Sequence, residues 1–268
     1  MMKTGVTMSK YLAATRISLR CSTALIATSI FMVSGLTANA EDDRGLTYSI
    51  GAFVTAGTSP FEKEGSDLEV EALPWFEITG EHFSLGIDGL TVPITQFSNI
   101  NIKGRLAPRW IAFDPEDYAG LKGFDRDIAI EAGFAADMEL GPVTLTLEAL
   151  RDISDTHGGT EVSAKAAGGL PLSARTFLGI EAGLTWMDTD LATYKYGVLD
   201  SDRGAYAAYV INEVVVPTLG VQLVHQLTNH ISIMGAVSGD FLPQTVTDSP
   251  IIQRDTIFSS MVGLKYEF

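Results

Sequence analysis

The sequence has a single cysteine, Cys21, and few basic residues. Beyond that cysteine the chain has neither a disulfide framework nor thiol chemistry available to it. Its 18 Lys and Arg stand against 33 Asp and Glu, which gives a formal net charge of −15. A chain this acidic repels nucleic acid, so we expect no nucleic-acid partner.

Long apolar runs are also missing. Beyond residue 40 no uninterrupted apolar segment reaches the about 18 residues that predict a transmembrane helix. Hydrophobic residues still make up 46% of the chain, which is too many for a disordered one. If the protein lies in a membrane, it must cross as a closed β-barrel, since only helices and closed barrels satisfy their backbone groups in lipid.

The first 40 residues have the composition of a secretory signal peptide. They contain four basic residues and no acidic one, followed by an apolar run over 23–36 and the small-residue sequence Ala38-Asn39-Ala40. The sequence therefore predicts a cleaved signal peptide over 1–40 and one domain over 41–268. Cys21 precedes the apolar run, so it is not placed as a lipidated cysteine.

Beyond residue 40, apolar and polar residues alternate with a period of two. Val143, Leu145 and Leu147, for example, alternate with polar neighbours. Such alternation is typical of strands with two different faces. We expect strands near 46–57, 67–79, 82–94, 100–113, 127–139, 142–152, 160–170, 176–187, 213–225, 230–242 and 256–268.

Eleven strands conflict with the even number of bacterial outer-membrane barrels. The stretch 82–99 is the least regular, because it contains Gly86, Gly89 and Pro93. Dividing it into two short strands gives twelve, and removing one segment gives ten. The predicted fold is all-β, a transmembrane antiparallel up-and-down β-barrel of about 12 strands, with 10 as the alternative.

The predicted connections are of two kinds that alternate along the chain. Short ones cover 140–142, 170–174 and 227–230, and long polar ones cover 61–67, 114–127, 152–160, 187–212 and 243–255. Outer-membrane barrels have short periplasmic turns and long external loops. The long connections are therefore expected on the outside, with the last strand descending to the periplasm.

The chain ends on an amphipathic strand with Leu264, Tyr266 and Phe268 on one face. This ending resembles the closing strand of bacterial outer-membrane barrels, in which the terminal aromatic residue is a signal for the barrel-assembly machinery. That resemblance implies an assembly signal at Phe268, Tyr266 and Leu264. The alternative interpretation is the last strand of a soluble β-protein.

An ordered set of short phrases is similar to the MipA/OmpV family (MltA-interacting protein). The phrases are Glu64-Gly65-Ser66-Asp67 with Leu73-Pro74, Leu140-Gly141-Pro142, Asp152 with His157-Gly158-Gly159, Leu170–Ser173, Leu184-Thr185-Trp186 followed by acidic residues and Tyr194, and Asp248–Ile251. Lys63 and the region 82–127 depart from the family pattern. The resemblance implies an outer-membrane barrel. For the family's founder it implies a scaffold that bridges a lytic transglycosylase and a peptidoglycan synthase.

Charged residues on two neighbouring strands form a candidate lumen charge ladder. Lys103, Arg105 and Arg109 share one face of the strand over 100–113, and Glu131 and Asp137 share the polar face of the next strand. One interpretation is a charge-selective constriction for a small anionic or zwitterionic solute. The other is a set of ion pairs that fills the lumen and holds the sheet together.

The predicted external loops contain a histidine and many acidic residues. His157 lies among Asp152, Asp155 and Thr156, which suggests either a catalytic or metal-binding residue or a solvated loop histidine. The acidic residues could bind divalent cations that bridge to lipopolysaccharide phosphates, or form a solvated rim. The spacing matches neither a calcium loop nor a zinc site, so we expect no metal and no cofactor.

Three functions are compatible with these patterns. The first is a non-enzymatic scaffold linked to peptidoglycan synthesis and turnover enzymes, with outer-membrane lipid, lipopolysaccharide and the barrel-assembly machinery as further partners. The second is a narrow pore for small solutes. The third is an outer-membrane hydrolase, which would need His157.

Overall fold

A computed structural model describes residues 45–61, 68–110, 115, 118, 120–202 and 205–268, and most of this chain is β-strand. The predicted signal peptide over 1–40 lies outside the described residues and stays a prediction. The strands are β1 Thr47–Thr58, β2 Leu68–Thr79, β3 Ser84–Gly86, β4 Gly89–Phe97, β5 Ile100–Arg109, β6 Ala129–Leu140, β7 Val143–Asp152, β8 Thr160–Ser173, β9 Thr176–Met187, β10 Val214–Gln226, β11 Ile231–Phe241 and β12 Thr256–Glu267.

These twelve strands form one closed antiparallel barrel, in which each strand pairs with its neighbours in sequence. β1 and β12 close it, with Ser49 opposite Glu267 and Gly57 opposite Ser259. The prediction of twelve strands is confirmed. The irregular stretch 82–99 does contain two strands, β3 and β4.

The turn between β3 and β4 depends on a glycine. Gly89 has a φ of +106°, and a Cβ added there would lie 2.0 Å from the carbonyl oxygen of Leu106. Only glycine accepts both the backbone conformation and this close approach. The turn therefore ends β3 after three residues.

The alternation in the sequence places apolar side chains outside and polar ones inside. Val54, Val262 and Leu264 are each more than half exposed on the outer face, as lipid-facing side chains should be. Ser49 and Phe53, on the other face of β1, are 4% exposed. The barrel prediction and its two faces are confirmed.

Three predicted connections, over 170–174, 187–212 and 243–255, differ from the structure. β8 continues through most of the predicted turn over 170–174, because an irregular pairing at Pro171 and Ser173 lets the strand run on to its partner β9. The predicted loop over 187–212 contains helix α1, Thr189–Tyr196. A shorter helix, α2, covers Gln244–Thr247. Among the described residues, neither helix is long and apolar enough to cross a membrane.

Buried apolar side chains form two clusters. The larger, here called the external cap, joins residues of the long connections to the external ends of strands: Phe61, Tyr118, Leu121, Phe124, Met187, Leu191, Ala192, Tyr196, Val198, Ile211, Val214, Val216, Leu242, Val246, Ile251, Ile252 and Ile257. The smaller, here called the lumen cluster, contains Phe53, Trp75 and Met234. The long connections, predicted as polar, therefore form a core of their own.

Candidate functional site: the lumen and its external cap

The first pair of the charge ladder joins β5 to β6. The Lys103 ammonium donates a hydrogen bond to Asp137, and the Thr146 hydroxyl donates to the same carboxylate at 2.8 Å. Lys103 is 34% exposed, so this pair is the most accessible of the ladder to water.

Arg105 does not pair with the next strand but reaches past it to β7. Its Nε donates to Oε2 of Glu148 at 2.8 Å, and its Nη1 donates to the Thr91 hydroxyl on β4. Its Nη2 lies 3.6 Å from the exposed carboxylate of Asp88. One arginine on β5 thus connects the β3–β4 turn, β4 and β7.

Arg109 sits near the external end of the ladder and is bonded on two sides. Its Nε and Nη2 donate to the two carboxylate oxygens of Glu131 at 2.6 and 2.9 Å, and Nη2 also donates to Glu161 on β8 at 2.9 Å. Glu131 is only 1% exposed. A bidentate, buried arrangement of this kind is rigid, because both planar groups are fixed by parallel bonds.

His157 is buried, so its interpretation as a solvated loop residue is wrong. Its side chain is 0% exposed, and its Nε2 lies 3.2 Å from Oε1 of Glu131. Nδ1 accepts the backbone N–H of Gly159 at 3.0 Å. A ring nitrogen that accepts carries no proton, so the neutral ring holds its proton on Nε2, facing Glu131.

The loop around His157 is organised by one carboxylate, Asp152, at the end of β7. Its Oδ2 accepts the backbone N–H groups of Thr156, His157 and Gly158 at 2.7 to 2.8 Å, and its Oδ1 accepts that of Ser154 at 2.7 Å. These bonds wrap the loop around the carboxylate. That wrapping turns the His157 ring inward, under α1.

Helix α1 begins at a side-chain cap that also ties it to β8. Oδ1 of Asp188 accepts the N–H of Leu191 at 3.0 Å, as an N-cap residue does, and its Oδ2 accepts the N–H of Thr160 at 2.7 Å. A Cβ added at Gly159 would lie 2.5 Å from the nitrogen of Leu191. The helix therefore rests directly on the β7–β8 loop.

Lys195 of α1 faces the charged groups of the lumen. Burial disfavours its charge, but Tyr196 and the carboxylates of Glu161 and Asp240 outweigh this effect and raise the pKa of Lys195 above its ordinary value. Its Nζ lies 5.1 Å from the centre of the Tyr196 ring. The helix thus places a cation against the acidic groups at the top of the lumen.

Arg126 holds the described external segments together. Its Nη1 and Nη2 donate to the two oxygens of Asp202 at 2.8 and 3.0 Å, and its Nε donates to the carbonyl of Tyr194 at 2.8 Å. Its guanidinium also lies over the rings of Phe124 and Tyr194. The Asp202 side chain is 0% exposed, so this acidic residue of the external loops does not belong to a solvated rim.

The cap also reaches the wall formed by β1 and β2. Tyr118 is 1% exposed, packs edge-on against Phe61, and shares hydrogen bonds with Ser59 and the lumen-facing Glu69. Bonds between a loop aromatic and the barrel wall close the external mouth on this side.

The lumen cluster fills the periplasmic half on the opposite side from the ladder. A Cβ at Gly263 would lie 2.0 Å from the Phe53 ring, so that ring occupies the space above the glycine. Trp75 packs edge-on against Phe53 with a centroid distance of 6.0 Å, and Lys265 lies 5.3 Å above its ring. Aromatic packing therefore replaces open space here.

Sequence reasoning missed the residues that build the cap. Arg126 was passed over, although it is a basic residue inside an acidic segment, and that contrast was the one available signal. Lys195 gave none, because the loop over 187–212 had no helical pattern, and Tyr194 was noted only as part of a family phrase. Within the described residues, no three His, Cys, Asp or Glu side chains are grouped as metal ligands.

The proposed assembly signal lies at the periplasmic end of β12. Leu264, Tyr266 and Phe268 are 52%, 39% and 51% exposed on the outer face. The Tyr266 ring contacts Phe268 edge-on and stacks on His230. The backbone N–H of Phe268 donates to the carbonyl of Tyr48 at 3.0 Å. Its role in assembly stays a prediction.

Comparison with known proteins identifies the family. The family model described as "MltA-interacting protein MipA" matches residues 50–268. The chain belongs to the MipA family. Proteins named "Putative outer membrane protein YiaT" from Escherichia coli O157:H7 and strain K12 are each 25% identical to it over 227 residues, covering 82% of this chain and 90% of the relative.

The MipA-family assignment also gives the location, the bacterial outer membrane, and confirms the predicted family. Among solved structures, the translocator domain of autotransporter NalP from Neisseria meningitidis matches with a TM-score of 0.40 and 16% identity, covering 87% of this chain and 91% of that one. The NanC porin matches with a TM-score of 0.43 and 7% identity, covering 81% and 98%.

Proposed function

We propose that this MipA-family barrel is a non-enzymatic scaffold that anchors a murein enzyme at the outer membrane. The observation that carries the proposal is the external cap. Tyr118, Arg126 and α1 fold over the external mouth, while ion pairs and the lumen cluster occupy the interior. A barrel whose mouth is covered and whose lumen is packed acts through its surfaces.

The family description supports a partner class. It names an interaction with MltA, and the resemblance noted in the sequence implies that such a partner is a lytic transglycosylase. The periplasmic turns are the parts of the barrel that a peptidoglycan enzyme can reach, because murein lies on that side. A peptidoglycan synthase is the second partner implied by the resemblance.

The test is capture from detergent-solubilised envelopes with the tagged full chain. We expect a lytic transglycosylase to be enriched relative to a matched outer-membrane barrel of unrelated sequence. Replacing the exposed turn residue Arg175 with Glu, at the periplasmic end of β8 and β9, should weaken this capture. Enrichment of no murein enzyme under conditions that retain the barrel would overturn the proposal.

A narrow pore is the second candidate, favoured by the composition of one wall. Lumen-facing positions of β9 to β11 include Gly183, Gly220 and Ala236, whose side chains are absent or small. Planar-bilayer recordings test it. A pore closed by the cap should conduct only after the cap is loosened, for example by Arg126→Ala. Silence of both the native chain and that variant eliminates this function.

A further inference from the structure

His157 joins the external cap to the barrel wall. Its Nε2 lies 3.2 Å from Oε1 of Glu131 on β6, and its ring centre lies 5.4 Å from that of Tyr194 on α1. The side chain is 0% exposed, so a charge on this ring acts on its neighbours more strongly than the charge of a solvated histidine would. A proton gained by the ring therefore affects both the wall and the helix that covers it.

The ring has one hydrogen bond among the described residues. Its Nδ1 accepts the backbone N–H of Gly159 at 3.0 Å. The approach of Nε2 to Glu131 is close but is not aligned as a hydrogen bond. Oε1 of Glu131 already accepts a hydrogen bond from Nε of Arg109 at 2.6 Å. The bond to Gly159 therefore holds the ring in its loop, and it requires an Nδ1 without a proton.

Gly159 lies at the contact between the β7–β8 loop and α1. A Cβ at this position would lie 2.5 Å from the nitrogen of Leu191, in the first turn of the helix. The Gly159 carbonyl accepts the N–H of Asp152 at 3.1 Å, and the N–H of the next residue, Thr160, donates to the helix N-cap Asp188 at 2.7 Å. A shift of Gly159 therefore disturbs both the end of β7 and the start of α1.

A second proton on the ring is incompatible with this arrangement. A protonated histidine carries an N–H group on each nitrogen, so Nδ1–H and the N–H of Gly159 would face each other across 3.0 Å. Two donors cannot form that bond, and either the ring or the loop must move. A histidine in water gains this proton at about pH 6.5, within the range that a bacterial surface meets.

The charged groups around the ring determine the direction in which it moves. Titratable and charged side chains face the ring or its contacts from every element packed around it: Glu131 on β6, Arg109 on β5, Glu161 on β8, Tyr194, Lys195 and the N-cap Asp188 on α1, Asp152 in its own loop, and Arg126 over the Tyr194 ring. The Glu131 carboxylate, 3.2 Å from Nε2, attracts a charged ring. That attraction draws the ring toward the wall and away from Gly159.

We propose that His157 makes the closure of the external cap sensitive to acid. With the neutral ring, the bond to Gly159 holds the β7–β8 loop under α1. With the protonated ring that bond is lost, and the contact between loop and helix loosens while the barrel strands stay paired. The bond thus contributes to closure above about pH 6.5, and this contribution is lost as the pH falls below that value. The inference does not rest on the scaffold function.

Amide hydrogen exchange of the chain folded into lipid vesicles tests the proposal. Exchange is followed at about pH 8 and about pH 5.5, on either side of the ordinary histidine range, and corrected for its intrinsic pH dependence with unstructured peptides of the same sequence. The N–H groups of Leu191 and Gly158, which donate to Asp188 and Asp152, report on the contact. We expect their protection to fall by roughly tenfold at the lower pH, the effect of one lost hydrogen bond. The N–H of Glu139, which donates to the carbonyl of Asn99 at the periplasmic end, should keep its protection as the internal control.

Two variants separate the proton from the hydrogen bond. His157→Asn keeps an acceptor, because its Oδ1 can bond the N–H of Gly159 as in an Asx turn, and it does not titrate, so it should stay protected at both pH values. His157→Ala has no acceptor and should show low protection at both. The other histidines, His82, His225 and His230, remain in every variant, so their titration is common to all. Heat-modifiable migration on gels shows whether each variant has folded.

Nitrogen NMR of histidine-labelled protein in detergent micelles measures the state of the ring directly, with His157→Asn used to assign its signals. We expect a neutral ring with its proton on Nε2 at the higher pH and a doubly protonated ring at the lower one. A ring that stays neutral at both overturns the proposal. So does equal protection of the native chain at both pH values, or a loss of protection in His157→Asn as large as that in the native chain.

Discussion

Nη1 of Arg126 lies 2.8 Å from Oδ1 of Asp202, and the two side chains are 2% and 0% exposed. The pair joins the segment before β6 to the segment after α1. Asp202 also accepts the backbone N–H groups of Leu199 and Asp125, at 2.7 and 3.4 Å. The external cap is therefore fixed by one buried ion pair and the bonds around it.

Arg126→Ala should loosen the external cap. The change leaves the Asp202 carboxylate buried without its cation, which typically costs about 3–5 kcal/mol. We expect faster protease cleavage of the external loops on intact cells. Arg175→Ala, in an exposed periplasmic turn, is the matched control. Equal cleavage rates for Arg126→Ala and the native chain would show that the pair does not hold the cap.

Arg109→Met should destabilise the barrel more than Lys103→Met. Arg109 neutralises the buried Glu131 and contacts Glu161, whereas Lys103 is 34% exposed and its partner can be hydrated. The midpoint of urea unfolding in lipid vesicles measures the difference. Adding Glu131→Gln to Arg109→Met should recover part of the loss. A lower urea midpoint for Lys103→Met than for Arg109→Met would contradict this account of the ladder.

Alkaline pH should weaken the cap through Tyr194. Its hydroxyl donates to the carbonyl of Asp127 at 2.9 Å and accepts the N–H of the same residue at 2.7 Å. Burial raises the pKa of Tyr194. The neutral form therefore stabilises the folded state below the ordinary pKa of about 10, and this contribution is lost as the pH rises above that value.

The urea midpoint, measured between pH 8 and 11, checks this dependence. Tyr194→Phe should show a shallower fall with pH, because the titrating hydroxyl is gone. Tyr48→Phe, on the outer face of β1, serves as the control and should keep the native slope. If the urea midpoint of Tyr194→Phe falls with pH as steeply as that of the native chain, the loss of stability at alkaline pH does not come from Tyr194.

Deleting Phe268 should impair assembly in cells more than stability in vitro. Its ring lies on the outer face and contacts only Tyr266 among the described aromatic rings, so little packing is lost. We expect less heat-modifiable protein in outer membranes but near-native folding into vesicles. Phe268→Trp should restore assembly, since it keeps an aromatic terminus. Normal assembly of the deletion would contradict the proposed signal.

The sequence predicted the barrel because the period-two pattern is local. The faces of β7 follow from Leu145 and Leu147 alternating with Thr144 and Thr146, and no other part of the chain is needed to see it. The division of 82–99 was also visible, since glycine and proline act on their own backbone. The same count placed Lys103 and Asp137 on the polar face of their strands, but their contact is a diagonal one that only the register shows, since Lys103 lies opposite Ala135.

Other features depend on contacts between distant segments. Arg105 bonds Glu148 on β7 rather than a residue of β6, because its long side chain extends across β6. The sequence alone does not show which strand a side chain reaches. The burial of His157 requires Asp152 to collect the loop's N–H groups and α1 to cover the ring. No periodic pattern in the sequence predicts these contacts.

By itself, the sequence determined the class of fold, the inward and outward faces, and the membrane-compatible surface, because each depends on residue type and alternation along the chain. Only the tertiary structure decided that the long loops form an apolar cap and that the ladder is paired. Those features depend on side chains and backbone edges far apart in the chain, which meet only when the barrel has closed.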